Sequence, residues 1–359
     1  MIDGVESDCM RVLIASLPIG TGHDIAARAL AESFAEKGAS VEFSHHLIPD
    51  MRVQTALYFF GIRYMPGIYG TLFRLGDRAQ LLWRRHRQAW RAAGQRLLVG
   101  AYEAHRPDVV VATHPYALTG WSAIKERRPE LKLVGALTDL SVHRFWYEPT
   151  ADAYAVWLPE QVQDLVGFGY RPERIWQSGI PIRASFNQPN PLIGQFRQGP
   201  IVLLGGGLGV GPYMRILKRL SELPYPVLAV CGSNERLRWR LDAHRWPERI
   251  HIVGYIEHMP TLLKAARLVV GKPGGVTAAE VCQSRVPWLL THWIAGQEEE
   301  NRDRLIMHGL AMRGDNNLQE LAQQLVDDSS PLRQRMIFSQ KTWARPQAAD
   351  DLAARVLAL

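Results

Sequence analysis

Cysteine is scarce in this sequence. Cys9, Cys231 and Cys282 are too few and too scattered for a disulfide framework or a metal cage, and their rarity fits a reducing compartment. Long apolar runs are missing too: no stretch reaches the roughly 18 uninterrupted apolar residues of a membrane-spanning helix. Residues 1–10 carry Asp3, Glu6 and Asp8 and no apolar run, so a secretory signal is not expected. A cytoplasmic protein, or one attached to a membrane from that side, is the expectation. Acidic residues are nearly absent from one segment. Between residues 51 and 100 there are nine Arg, no Lys and a single acid, Asp77, giving +8 in a chain whose net charge is +7.

That basic segment also holds eight aromatics: Tyr58, Phe59, Phe60, Tyr64, Tyr69, Phe73, Trp83 and Trp90. Arg-rich helix faces are often merely solvated. Aromatics among the charges favour a membrane interface, where each Arg near an anionic surface adds about 1 kcal/mol. Phe59, Phe60, Tyr64, Trp83, Arg84, Arg85, Arg87 and Trp90 are the candidate membrane contacts. Nucleic acid would attract the same charge, but no recognisable nucleic-acid module accompanies it, so none is expected as a partner.

What is present is ordinary for a globular chain, with 47% hydrophobic and 21% charged residues, and 359 residues suit two α/β domains. Apolar runs at 11–17, 41–46, 108–113 and 131–137 read as strands, with helical patterns at 24–37 and 116–126 between them. Strands alternating with helices through short loops imply a parallel sheet covered on both faces. The alternation weakens over 185–200, where Pro189, Pro191, Gly194 and Pro200 mark a linker. A second series follows, with strands at 201–204, 226–230, 249–253, 268–270 and 287–290. The expected class is α/β with two Rossmann-like domains, 1–190 and 191–344, and a final helix at 345–359 returning to the first.

Both halves run an apolar strand into a glycine turn and then a helix. In the second, Gly205, Gly206, Gly207, Gly209 and Gly211 follow a strand, and glycines there let backbone amides approach a phosphate at a helix N-terminus. As a dinucleotide fingerprint the cluster is weak, because no acidic residue ends a following strand at ribose spacing. A tight turn without a ligand is the alternative.

The run Lys272-Pro-Gly-Gly-Val-Thr-Ala-Ala-Glu280 is sharper. Gly274 and Gly275 suit a diphosphate, and Glu280, further along the helix, suits two ribose hydroxyls. Ile294-Ala-Gly-Gln-Glu-Glu-Glu-Asn301 then places Gln297 and Glu298 at the start of another helix, an amide beside a carboxylate that can bind sugar hydroxyls. Read blandly, those acids complement a helix dipole. In the first half His23 ends its glycine turn, and Thr138-Asp139-Leu-Ser-Val-His143-Arg-Phe-Trp146 follows a strand. Both loops should emerge at one sheet edge.

Taken in order, Gly20-Thr-Gly-His23, the Thr138–Trp146 run, Gly205–Pro212, Val230-Cys-Gly-Ser233-Asn234, Lys272–Glu280 and Ile294–Asn301 resemble the diacylglycerol glycosyltransferases, especially monogalactosyldiacylglycerol synthases. The transferase that adds N-acetylglucosamine to the peptidoglycan lipid precursor is similar at greater distance. The resemblance implies the GT-B fold, two Rossmann-like domains with a cleft between them. A UDP-sugar would lie in the second domain and a lipid acceptor against the first. It assigns the donor to Gly205, Gly206, Gly207, Gly209, Ser233, Asn234, Lys272, Gly274, Gly275, Thr277, Glu280, Gln297, Glu298 and Asn301. Within that set Glu280 would hold the ribose, and Gln297 with Glu298 the hexose. Gly22, His143 and Trp146 would face the acceptor, and His23 or Asp139 would be the base.

The expected reaction is an inverting transfer of a hexose, galactose or else glucose, from a UDP-hexose to diacylglycerol. No Asp-x-Asp motif is present, so no metal or other cofactor is expected. Two readings compete. One is transfer of N-acetylglucosamine to a polyprenyl-linked acceptor; the other is a catalytically silent protein that binds UDP-sugar or anionic lipid.

Overall fold

The computed structural model describes residues 9–17, 21–44, 80–189, 199–296 and 298–359, with 61, 65, 67–68 and 70–71 between them. Two compact units result: 1–19, 23–183 and 347–359 in the first, and 20–22 with 184–346 in the second.

In the first unit β1 (Arg11–Ala15), β2 (Ser40–Ser44), β3 (Val109–Ala112), β4 (Lys132–Ala136), β5 (Ala153–Ala155) and β6 (Ile175–Trp176) form one sheet ordered β2-β1-β3-β4-β5-β6. Every pairing is parallel. Parallel strands buried on both faces read as continuous apolar runs, which is why Val12-Leu-Ile-Ala and Val109-Val-Val-Ala are so uniform. Alternation sends their side chains to two separate cores. Leu13, Ala15, Val110 and Ala112 pack with Leu98 and Trp121 on one face. On the other, Val12, Ile14, Val109 and Val111 pack with Leu30, Phe34 and, from the C-terminal helix Ala348–Leu357, Leu352, Ala353 and Val356. Asp350 of that helix accepts from Ser33 Oγ.

The basic helix Gln80–Leu97 shows two unlike sides. Gly94 crosses the helix Pro115–Lys125 at Gly120, so closely that a Cβ on Gly94 would lie 2.5 Å from the Gly120 carbonyl oxygen. Trp90 stacks on Tyr116 at 4.4 Å. Arg87 donates from Nε and Nη2 to the two oxygens of Glu148 at 2.9 and 2.7 Å, and Ser122 Oγ donates to the same carboxylate at 2.7 Å. Arg91 reaches it at 3.5 Å. Glu148 is fully buried, so this fork-on-fork ion pair is an internal fastening. Arg84, Arg85 and Arg96 are exposed.

The second unit repeats the plan with β7 (Ile201–Leu204), β8 (Val227–Val230), β9 (Ile250–Val253), β10 (Leu268–Gly271), β11 (Trp288–Leu290) and β12 (Met312–Arg313). Their order is β12-β11-β10-β7-β8-β9, all parallel. Counted from β7 this is the doubly wound order of dinucleotide-binding domains, whose ligands lie beyond the C-terminal strand ends where the winding reverses. In the second unit that point is between β7 and β10; in the first it is between β1 and β3.

Candidate functional site

At the switch point of the first unit, Gly22 opens the helix Gly22–Glu36 and His23 follows it. His23 Nδ1 lies 2.8 Å from the Thr113 carbonyl at the end of β3, and 2.7 Å from Thr138 Oγ1, just past β4. A carbonyl oxygen only accepts, so the Thr113 contact favours the neutral tautomer with the proton on Nδ1 and the lone pair on Nε2. That is the tautomer of a general base. Ser16 Oγ donates to Asp24 at 2.6 Å, tying the same helix start to the end of β1. Gly20 lies outside the described residues.

Asp139 is half-buried, and its backbone carbonyl accepts from Gln161 at 2.9 Å. His143 caps the short helical turn Arg144–Trp146, accepting from the Phe145 amide at 3.3 Å. Trp146 corrects the reading made from the sequence. It is 3% exposed inside the core, so its ring serves packing rather than an acceptor surface. Its carbonyl accepts from the buried Tyr154 hydroxyl.

In the second unit the glycine loop after β7 folds on itself, with Gly209 N–H donating to Gly206 and Val210 N–H to Gly205. Gly206 and Gly209 have φ of +71° and +55°. A Cβ on Gly209 would lie 2.1 Å from the Cys231 carbonyl, so this loop and the one after β8 are stitched together. Ser233 donates to the Gly207 carbonyl from its amide and hydroxyl. Asn234 caps the helix Glu235–Asp242 through Oδ1 and donates from Nδ2 to Gly209. Ser233 and Asn234, expected at the donor, are thus occupied in bracing the glycine loop.

Lys272, leaving β10, has its Cε 3.1 Å from where a Gly206 Cβ would stand. It therefore joins the two loops that flank the switch point. Its ammonium is paired with Glu298, whose second oxygen accepts from the Ile294 amide at 2.9 Å. The resemblance puts both residues at the donor and only Glu298 at the hexose; the folded unit couples the two. Gly274 caps the helix Gly275–Ser284 without any side-chain bond, leaving first-turn amides oriented for an anion. Thr277 is partly exposed beside Gly274, and Glu280 is 5% exposed on the same helix. Asn301 is fully buried and donates to the Pro273 carbonyl at 3.1 Å, holding the turn in place. Gln297 lies outside the described residues.

Of the candidate membrane contacts, Phe59, Phe60 and Tyr64 lie outside the described residues, as does the side chain of Trp83. Arg87 and Trp90 face inward, as described above. This corrects their assignment: a guanidinium held by a buried carboxylate is not offered to lipid. Sequence reasoning also passed over two histidines. His114, two residues past β3, caps the helix Pro115–Lys125 by accepting from the Tyr116 amide at 3.1 Å. Burial, with a smaller push from His23, holds it well below the usual histidine range. His292 donates from Nε2 to the Val210 carbonyl at 2.8 Å, binding the loop after β11 to the glycine loop, and burial lowers its pKa as well. Each stands two residues past the end of an apolar strand, the one signal that could have found them. Among the described residues no three His, Cys, Asp or Glu side chains group closely enough to hold a metal ion.

Two parallel six-stranded Rossmann-like units in one chain give it the GT-B fold. MurG from Acinetobacter baumannii has the same fold, with a TM-score of 0.63, 16% identity, and coverage of 98% of this chain and 100% of that one. So does UDP-GlcNAc 2-epimerase from Neisseria meningitidis, solved with UDP-GlcNAc, at a TM-score of 0.62, 13% identity and coverage of 98% and 100%. Sequence narrows the class further. Residues 23–182 match the family model of monogalactosyldiacylglycerol (MGDG) synthase. The processive diacylglycerol beta-glucosyltransferase of Bacillus cereus (strain AH820) is 27% identical over 370 residues, spanning 97% of this chain and 93% of the relative. The resemblance to diacylglycerol glycosyltransferases is borne out.

Proposed function

We propose that this protein transfers a hexose from a UDP-sugar to diacylglycerol, with inversion, forming a β-glycosyldiacylglycerol. The observation that carries the reading is the placement of His23 Nδ1 2.8 Å from the Thr113 carbonyl, an acceptor that favours the proton on Nδ1 and leaves Nε2 as the basic atom. Alignment with a diacylglycerol glucosyltransferase over 97% of the chain supports the substrate class. As the acceptor oxygen bonds to the anomeric carbon, its proton passes to His23 Nε2. The bond from that carbon to the β-phosphate oxygen breaks with its electron pair, and UDP leaves. Asp139, half-buried near Thr138, is the alternative base.

The donor belongs to the second unit. Amides of the Gly205–Gly209 loop and of the uncapped start of Gly275–Ser284 take the diphosphate. Glu280 takes the ribose, and Gln297 with Glu298 the hexose. Lys272 holds Glu298 as a fixed acceptor. The first unit rests on an anionic membrane surface at the cytoplasmic face, supported by the exposed Arg84, Arg85 and Arg96. Among the described residues no helix is long and apolar enough to cross a membrane.

The test is turnover of UDP-glucose and UDP-galactose with diacylglycerol, read by mass spectrometry of the lipid. His23→Ala should lose roughly a hundredfold or more in kcat while UDP binding stays intact. Full turnover by His23→Ala removes it as the base, and absence of any glycosyldiacylglycerol with either donor removes the reading.

A further inference from the structure

His23 is not alone at its switch point. His114 stands against it with ring centroids 4.7 Å apart at an interplanar angle of 69°, an edge-to-face contact. The two rings come from different strand ends, since His23 is the second residue of the helix after β1 and His114 lies two residues past β3. They are anchored in opposite senses. His23 Nδ1 donates, to the Thr113 carbonyl. His114 Nδ1 accepts, from the Tyr116 amide. His114 must therefore carry its proton on Nε2, and taking a second one at Nδ1 would set two donors face to face.

We propose that His114 is a positioning residue for His23: its ring, fixed by the Tyr116 amide, walls one side of the His23 imidazole and keeps it turned so that Nδ1 meets Thr113 and Nε2 remains the proton-accepting atom. The inference rests on the reading of His23 as the base. Three features carry it. His114 is only 6% exposed, so its ring is a rigid wall. Thr113, immediately before it, supplies the carbonyl that sets the His23 tautomer, so one dipeptide at the end of β3 provides both the anchor and the wall. Thr138 Oγ1, just past β4, lies 2.7 Å from the same Nδ1 and adds a second contact to it. Burial holds the His114 pKa well below the usual histidine range, so its ring meets His23 as a neutral neighbour.

Two variants separate the wall from the cap. His114→Asn keeps an acceptor for the Tyr116 amide and deletes the ring. His114→Phe keeps a ring and deletes the acceptor. Turnover should follow the ring and thermal stability the cap. His114→Asn should lose roughly tenfold to a hundredfold in kcat, the cost of misplacing a reacting group by a fraction of an ångström to one ångström, with the donor KM unchanged. His114→Phe should lose less turnover but melt lower.

The independent readout is ¹⁵N NMR of the His23 ring in the substrate-free protein. Wild type should show the Nδ1–H tautomer, and His114→Asn a mixture. A His114→Asn protein with wild-type kcat and an unchanged His23 tautomer overturns the proposal. Because the NMR measurement needs no turnover, it stands apart from the failure of the base reading, which an active His23→Ala would reveal.

Discussion

Arg87 is where sequence and structure part most sharply, and the difference can be measured. The basic segment suggests that its arginines face lipid, yet Arg87 grips Glu148 by two hydrogen bonds, with Glu148 fully buried and the Arg87 side chain 23% exposed. Replacing Glu148 with Ala leaves two guanidiniums, of Arg87 and Arg91, facing an emptied pocket, and leaves Ser122 Oγ without its acceptor. Removing one partner of a buried ion pair costs about 3–5 kcal/mol. Arg87 keeps some access to water, so the lower end, about 3 kcal/mol, is the better figure. For a unit of this size each kcal/mol lowers Tm by about 2–4 °C, so Glu148→Ala should melt roughly 6–12 °C lower in a calorimetric scan. Arg87→Met with Glu148→Leu should recover most of that loss, because an apolar pair of similar volume no longer buries a charge. A Glu148→Ala protein within 2 °C of wild type by the same scale refutes the reasoning. An Arg87→Ala variant with an unchanged Tm and weakened liposome binding would return Arg87 to the membrane.

Three further outcomes are expected. Gly209→Ala combines a φ of +55° with a Cβ 2.1 Å from the Cys231 carbonyl, and should cost about 2–3 kcal/mol and lower Tm; an unchanged melting curve would mean the loop simply shifts. His114 and His292, one in each unit, are held below the ordinary histidine pKa by burial, so below about pH 6.5 the unfolded chain binds protons that the folded chain does not. Their contribution to stability is complete above that pH and declines as pH falls through the folded values. Tm should therefore drop between pH 7 and 5, less steeply in His114→Asn than in wild type; parallel profiles would count against it. In flotation assays binding should rise with anionic lipid and fall with salt. Neutralising Arg84, Arg85 and Arg96 together should weaken it by about 3 kcal/mol without lowering Tm, and salt-independent binding would point to an apolar contact instead.

Most of the fold was legible because doubly wound sheets bury both faces. Nine strands stand out as apolar runs, Arg11–Ala15 and Ile201–Leu204 among the plainest. The strands that escaped, Ala153–Ala155, Ile175–Trp176 and Met312–Arg313, are two or three residues long and carry no period to read. Glycine loops were legible as well, since few other residues tolerate the turns they make. What those glycines do was not. Gly209 is as much a packing requirement against Cys231 as a means of approaching a phosphate.

By itself the sequence determined the α/β class, the pairing of strand with glycine turn in each half, and the residue types of the candidate donor site. These depend on local propensity and on patterns a few residues long. Partnerships across distance were decided by tertiary structure alone. Lys272 and Glu298 are 26 positions apart, Arg87 and Glu148 61, His23 and the Thr113 carbonyl 90. A charge in a sequence is the same letter whether it meets water, lipid or a buried carboxylate. Only the folded chain decides which side of a helix turns inward, which carboxylate is already engaged, and which nitrogen of an imidazole is left to take a proton.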